Sequence, residues 1–211
     1  MLTPALAPVL PIAAPWFDFA GLAVFAASGA LAAARTRQTF VTMAFFALIT
    51  GVGGGTVRDL LIGAPVFWVR DPHVAALCLV VAVVIWMTPA RWWAGAALDW
   101  FDAIGLAAYA VYGAAKAIRY GVPPVPAALM GIISACVGGI IRDVLASEPS
   151  ILLRPELYVS AAALSAASFV ALGAAGLDPT LAAIIAAAAG FALRAAAMHW
   201  KIALPPYRGD Q

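Results

Sequence analysis

Seven long apolar runs alternate with short polar connectors along this chain, at about residues 16–34, 39–61, 73–90, 100–118, 125–145, 157–175 and 179–198. Each run is near the roughly 20 apolar residues that an α-helix needs to cross a bilayer. The pattern therefore predicts an all-α integral membrane protein with seven transmembrane helices. The connectors hold the punctuation: Arg35-Thr36-Arg37-Gln38, Gly63-Ala64-Pro65, Pro89-Ala90-Arg91, Gly121-Val122-Pro123-Pro124, Glu148-Pro149 and Asp178-Pro179. Residues 1–15 are apolar too, but Pro4, Pro8, Pro11 and Pro15 forbid a spanning helix there. That segment reads as an N-terminal tail without the basic flank of a signal peptide. Residues 201–211 form a polar C-terminal tail.

Composition sharpens the class. Of 211 residues, 65% are hydrophobic and 10% charged, whereas a soluble domain carries about 25% charged residues. A formal net charge of +2, with no basic patch, gives no reason to expect a nucleic-acid partner; the expected partner is the lipid bilayer. Cys78 and Cys136 both fall inside apolar runs and read as packing residues. His73 and His199 are the only histidines, so a histidine metal site is not expected. No nucleophile–base set or metal cluster emerges, and the expectation is a protein that is not an enzyme and needs no cofactor.

The second run contains Gly51-Val52-Gly53-Gly54-Gly55-Thr56-Val57-Arg58-Asp59. Glycine costs about 1 kcal/mol relative to alanine inside a helix, so Gly53, Gly54 and Gly55 predict a break. The fifth run repeats the signal as Gly138-Gly139-Ile140-Ile141-Arg142-Asp143, at a constant offset of 84 residues. Phe17-Asp18 matches Phe101-Asp102 in the same register, Pro65 matches Pro149, and Arg70 matches Arg154. Between residues 17–31 and 101–115, eight of fifteen positions are identical. The chain is internally duplicated.

The expected division is repeat 1 at 16–98, repeat 2 at 99–176 and an unpaired seventh helix at 177–200. Three helices per repeat is an odd number, so the second copy must enter the membrane from the opposite face. The repeats are thus predicted to be inverted, as in many transport proteins. The seventh helix is alanine-rich, suited to bracing the core or to a subunit contact. Arg35, Arg37, Arg91, Arg154, Lys201 and Arg208 fall on one face, against Arg70 and Arg119 with Lys116 nearby on the other. The excess of basic residues marks the first face as cytoplasmic, with the N-terminus outside and the C-terminus inside.

Broken helices and ionisable residues at membrane depth survive only where protein or water covers them. The glycine clusters, with Asp59, Asp143 and the Ser28 hydroxyl, are therefore expected to line an ion path. Arg58 and Arg142 would repel cations there and read as gate or scaffold charges. Neighbours on a helix point about 100° apart, so Arg58 is not expected to face the same way as Asp59. Asp18 and Asp102 are candidate partners for the arginines, although an Asp at the start of a run more commonly caps the helix. Lys116, aligned with Ala32, either snorkels to the interface or acts as a mobile charge. Trp68, Trp86, Trp92, Trp93, Trp100 and Trp200 read as interface anchors.

Paired Gly-Gly-Gly-Thr-Val-Arg-Asp and Gly-Gly-Ile-Ile-Arg-Asp motifs within two three-helix repeats resemble the prokaryotic TRIC (trimeric intracellular cation) channels, over about residues 16–200. The resemblance implies a homotrimer with a potassium-permeable pore for monovalent cations in each protomer, in the cell membrane. It implies that the second and fifth helices, kinked at Gly53 to Gly55 and at Gly138 and Gly139, line that pore beside Arg58, Asp59, Arg142 and Asp143. It also implies a gating role for Lys116, although the animal members' Lys-Glu-Val reads Lys116-Ala117-Ile118 here. The alternative is a secondary transporter of a small solute such as an amino acid, since inverted repeats with broken helices serve transporters equally.

Overall fold

The computed structural model describes residues 15–93, 95–153 and 156–205, with side chains from residue 19 onward. The proline-rich N-terminal segment, Arg154 and Arg208 lie outside the described residues. The described chain forms eight α-helices: α1 (Pro15–Arg35), α2 (Phe40–Leu61), α3 (Phe67–Arg70), α4 (Pro72–Met87), α5 (Ala97–Arg119), α6 (Pro124–Leu145), α7 (Tyr158–Ala174) and α8 (Pro179–Trp200). Two 3-10 turns, Ala90–Trp93 and Ile151–Leu153, complete it. The helix starts follow the expected chemistry. Pro124 and Pro179 open α6 and α8, where a missing N–H costs nothing. Asp178 Oδ1 accepts the N–H groups of Thr180 and Leu181, each at 3.0 Å.

α2, α5, α6 and α8 are long and apolar enough to cross a membrane, and α4 and α7 are shorter apolar helices. Outward faces carry large apolar side chains such as Val41, Phe45, Val80, Leu129 and Ile184, which suit lipid or a neighbouring subunit rather than water. The core is a group of four helices, α1, α2, α5 and α6. α4 packs on α1 and α2, while α7 packs on α5 and α6. α8 lies against α7 and α5, with small residues such as Ala182, Ala186 and Gly190 buried.

Contacts across the core are reciprocal, as a two-fold relation requires. A methyl group on Gly21 would meet the Tyr109 ring at 2.6 Å, and one on Gly105 would meet the Phe25 ring at 2.9 Å. Phe25 and Tyr109 occupy equivalent positions of the two copies, and their rings pack edge to face at 5.2 Å. α2 and α6 cross in the same manner. A side chain on Gly54 would press into the Ser134 carbonyl oxygen, and one on Gly138 into that of Thr50. Thr50 and Ser134 are themselves equivalent across the duplication.

The crossing corrects the expectation of broken helices. α2 and α6 remain α-helical from end to end through their glycines, without an unwound segment or freed carbonyls. Gly54 and Gly138 are needed because the two backbones touch there. Small residues let membrane helices approach to that distance.

Candidate functional site

Each Arg-Asp dipeptide sits in the last turn of its helix, and both copies end alike. Ile62 N–H bonds the Arg58 carbonyl at 3.0 Å and Ala64 N–H bonds that of Asp59 at 2.8 Å. In the second copy, Ala146 N–H bonds the Arg142 carbonyl at 2.9 Å and Glu148 N–H bonds that of Asp143 at 3.0 Å. The residue that reverses the chain has positive φ in both, Gly63 at 67° and Ser147 at 56°. This is a left-handed helix cap, easy for glycine and strained for serine.

The reversal brings a short helical turn back under the aspartate. Asp59 Oδ2 accepts the Phe67 N–H at 3.1 Å, and Asp143 Oδ2 accepts the Ile151 N–H at 2.7 Å. The other carboxylate oxygen takes the neighbouring arginine. Arg58 Nε lies 2.9 Å from Asp59 Oδ1, and Arg142 Nε lies 2.9 Å from Asp143 Oδ1. The expectation that adjacent Arg and Asp face apart is thereby corrected, because the long guanidinium arm curls back over the final turn to its neighbour. All four side chains are buried.

Beyond this shared frame the copies diverge. In the first, Lys116 Nζ approaches Asp59 at 2.8 Å from Oδ1 and 2.9 Å from Oδ2. Lys116 also lies 5.7 Å from the Phe67 ring centre. The snorkelling expectation for Lys116 is corrected: its charge turns inward to a carboxylate. Arg58 stacks 5.2 Å from the centre of the Tyr112 ring. In the second copy, Arg142 Nη1 donates to Asp102 Oδ1 at 2.6 Å and to Ser28 Oγ at 3.0 Å. Ser28 and Tyr112 are equivalent positions, so each arginine reaches the same place on the opposite copy and finds a different group there.

Asp102 is an interior residue of α5, fully buried, so its capping expectation is corrected and its partner expectation holds. Asp18 lies within α1 rather than ahead of it, and its side chain is outside the described residues. A methyl group on Gly139 would meet the Tyr158 hydroxyl at 2.8 Å, Asp102 Oδ1 at 3.3 Å and Arg142 Nη2 at 3.7 Å. Gly139 thus gives α6 the room to lie against the second charge cluster. Gly55 does the same beside the Phe67 ring, at 2.6 Å. Gly53 faces Ile141 and Gly138 at the crossing. Trp68 and Trp93 each donate an indole N–H to a threonine, Thr56 at 3.0 Å and Thr88 at 2.7 Å, while Trp86, Trp92, Trp100 and Trp200 stand exposed.

Sequence reasoning passed over Tyr112, Tyr158 and Arg194. Arg194 is a charge inside an alanine-rich apolar run, which was a signal in itself. It is buried on α8, with Nη1 2.7 Å from Glu156 Oε2 and its guanidinium 5.4 Å from the Tyr158 ring centre. A ladder of buried, paired charges can hold two helices together or gate a path between them. Among the described residues no group of His, Cys, Asp or Glu is arranged to hold a metal ion.

Comparison with known proteins places this arrangement. A family model described as "Glycine transporter" matches residues 15–90 and again residues 99–175. An inner membrane protein of Escherichia coli K12, UPF0126 protein YadS, is 35% identical over 204 residues, covering 93% of this chain and 97% of its own. A UPF0126 membrane protein of Vibrio cholerae is 36% identical over 90% of this chain and 81% of its own. The crystal structure of a TRIC trimeric intracellular cation channel orthologue from Rhodobacter sphaeroides superposes with a TM-score of 0.83 at 42% identity, covering 89% of this chain and 97% of that one. A further TRIC structure, described in terms of cation conductance, gives a TM-score of 0.82 at 26% identity over 95% of this chain and all of that one.

Proposed function

The chain belongs to the TRIC/UPF0126 membrane protein family, and on that premise we propose that it is a monovalent-cation channel, permeable to potassium. Its seven long helices each span the cell membrane, as two inverted three-helix repeats and a bracing seventh helix. The N-terminus lies outside and the C-terminus in the cytoplasm. Three copies assemble, and each has its own pore along α2 and α6, beside Ser28, Asp59 and Asp143.

The observation that carries this reading is the pair of buried Arg-Asp clusters on either side of one α2–α6 crossing. Fixed charges this deep in an apolar protein are costly and mark ion routes. The arrangement reads as a closed state: Gly54 and Gly138 hold the backbones in contact, and Asp59 is occupied by Lys116. Conduction requires α2 and α6 to part and Lys116 to leave Asp59, which takes a competing cation off that carboxylate. Arg58 and Arg142 stay paired to their aspartates and keep the path from becoming anion-selective.

Potassium efflux from liposomes tests the reading. Wild type should release potassium down its gradient, and Gly54→Leu, which cannot close the α2–α6 contact, should change that release while trimers persist on a sizing column. Efflux from Gly54→Leu identical to wild type would count against α2 lining the path. The family model's description favours a second reading, a secondary transporter of a small amino acid. Saturable glycine uptake coupled to an ion gradient, without gradient-driven potassium leak, would select it.

A further inference from the structure

α8 has no counterpart in the duplication, yet it carries one of the three arginines buried among the described residues. Arg194 is held at its far end by Glu156, at 2.7 Å, and lies 5.4 Å from the Tyr158 ring centre. The Tyr158 hydroxyl in turn occupies the same small space as Asp102 Oδ1, Arg142 Nη2 and the backbone of Gly139. Tyr158 and Asp102 are both buried there. Tyr158 thus meets α8 on one side and the second charge cluster on the other. The outer end of this chain of contacts is open: Glu156 is about one third exposed at 36%, and its backbone forms a β-bridge with Ala203, just beyond α8.

The first copy has nothing equivalent. Val74 stands where Tyr158 stands, and Pro72 where Glu156 stands. A simple brace would need apolar packing only, which Ala182, Ala186 and Gly190 already supply. Burying a guanidinium is worthwhile for geometry: it is planar and fixed, can pair a carboxylate, and can stack on an aromatic face at once.

We propose that Glu156, Arg194 and Tyr158 form a strut through which α8 and the segment after it set the position of the Asp102–Arg142 cluster, and so bias one of the two gates. This rests on the channel reading. Arg194 and Tyr158 are positioning residues; neither lines the path. Movement of the segment around Ala203 shifts Glu156, Glu156 draws Arg194, and the Tyr158 ring follows under it. The hydroxyl then presses on or withdraws from Asp102 and Gly139. A ligand or partner on the exposed end near Glu156 and Ala203 would reach the gate by this route.

The test uses the full-length protein with Cys78→Ala, so that Cys136 is the remaining thiol. Cys136 is buried on α6, three residues before Gly139 and on the same helical face. Two quantities are read for wild type, Glu156→Ala, Tyr158→Phe, the double variant, Arg194→Met and Arg194→Lys: channel open probability in planar bilayers, and the rate at which a small thiol reagent labels Cys136. Coupled sites commonly differ by about fivefold or more. Glu156→Ala and Tyr158→Phe should each raise open probability and labelling by at least that factor, with unitary conductance unchanged. The double variant should add little to either single one, and Arg194→Lys should retain more of the wild-type behaviour than Arg194→Met. Unchanged open probability and labelling in Glu156→Ala and Tyr158→Phe would overturn the strut, even if Arg194→Met fails to fold. If wild type itself gives no current, the channel reading fails, and the labelling rates decide the strut alone.

Discussion

Two charge clusters built on one plan differ in what was added to them. Both place an arginine and an aspartate in the final turn of a helix, reverse the chain through a left-handed residue, and anchor the next turn on the free aspartate oxygen. The first then adds Lys116, so that among the described side chains two cations share one carboxylate. The second adds Asp102, so that one guanidinium is shared between two carboxylates. Duplication preserved the backbone device, because helix caps and close helix crossings tolerate little change. Divergence fell on the positions facing it: Ala32 against Lys116, Ser28 against Tyr112, Val74 against Tyr158. A symmetric scaffold has thereby acquired two unlike charge clusters.

The largest test of that difference is to remove each arginine. Breaking a buried ion pair from one side costs about 3–5 kcal/mol. Arg142→Met should lose stability of that order in denaturant unfolding, since two carboxylates are left facing each other. Arg58→Met should lose clearly less, because Lys116 still neutralises Asp59. Equal losses would erase the distinction between the clusters.

The crossing tests the symmetry itself. Forcing a methyl group into a packed contact costs about 1–3 kcal/mol. Gly54→Ala and Gly138→Ala should cost the same within error, because each meets an equivalent carbonyl oxygen. A large gap between them would break the two-fold relation. Lys116→Gln comes next. It should leave the Arg58–Asp59 pair intact and raise open probability about tenfold, the equivalent of about 1.4 kcal/mol. No change in gating would remove Lys116 from the closed state. The caps come last. A non-glycine residue in the left-handed region costs roughly 1–2 kcal/mol. Ser147→Gly should therefore raise the melting temperature slightly, and Gly63→Ser should lower it by a similar amount.

Much of this was readable before any coordinates. The apolar runs foretold where long helices fall to within a few residues, as 125–145 against Pro124–Leu145 shows. The offset of 84 residues foretold which residues would be equivalent. The glycines misled, because a glycine that lets a helix break and one that lets two helices touch leave the same mark in a sequence. Partner choice was hidden for a related reason. Whether Lys116 snorkels or turns inward depends on the carboxylate 57 positions away, which periodicity does not place. Asp102 stood near the start of an apolar run and resembled a cap until α5 proved to begin at Ala97. The short α3 turn fell in a proline-flanked connector too brief to show a period.

The most direct measurement of the central claim, that a cation path runs between the two clusters, is single-channel recording of the purified protein in planar bilayers under asymmetric potassium chloride. Discrete current steps that reverse near the potassium equilibrium potential are the predicted result. Silence in such recordings, from protein that drives saturable glycine uptake into liposomes, would contradict it.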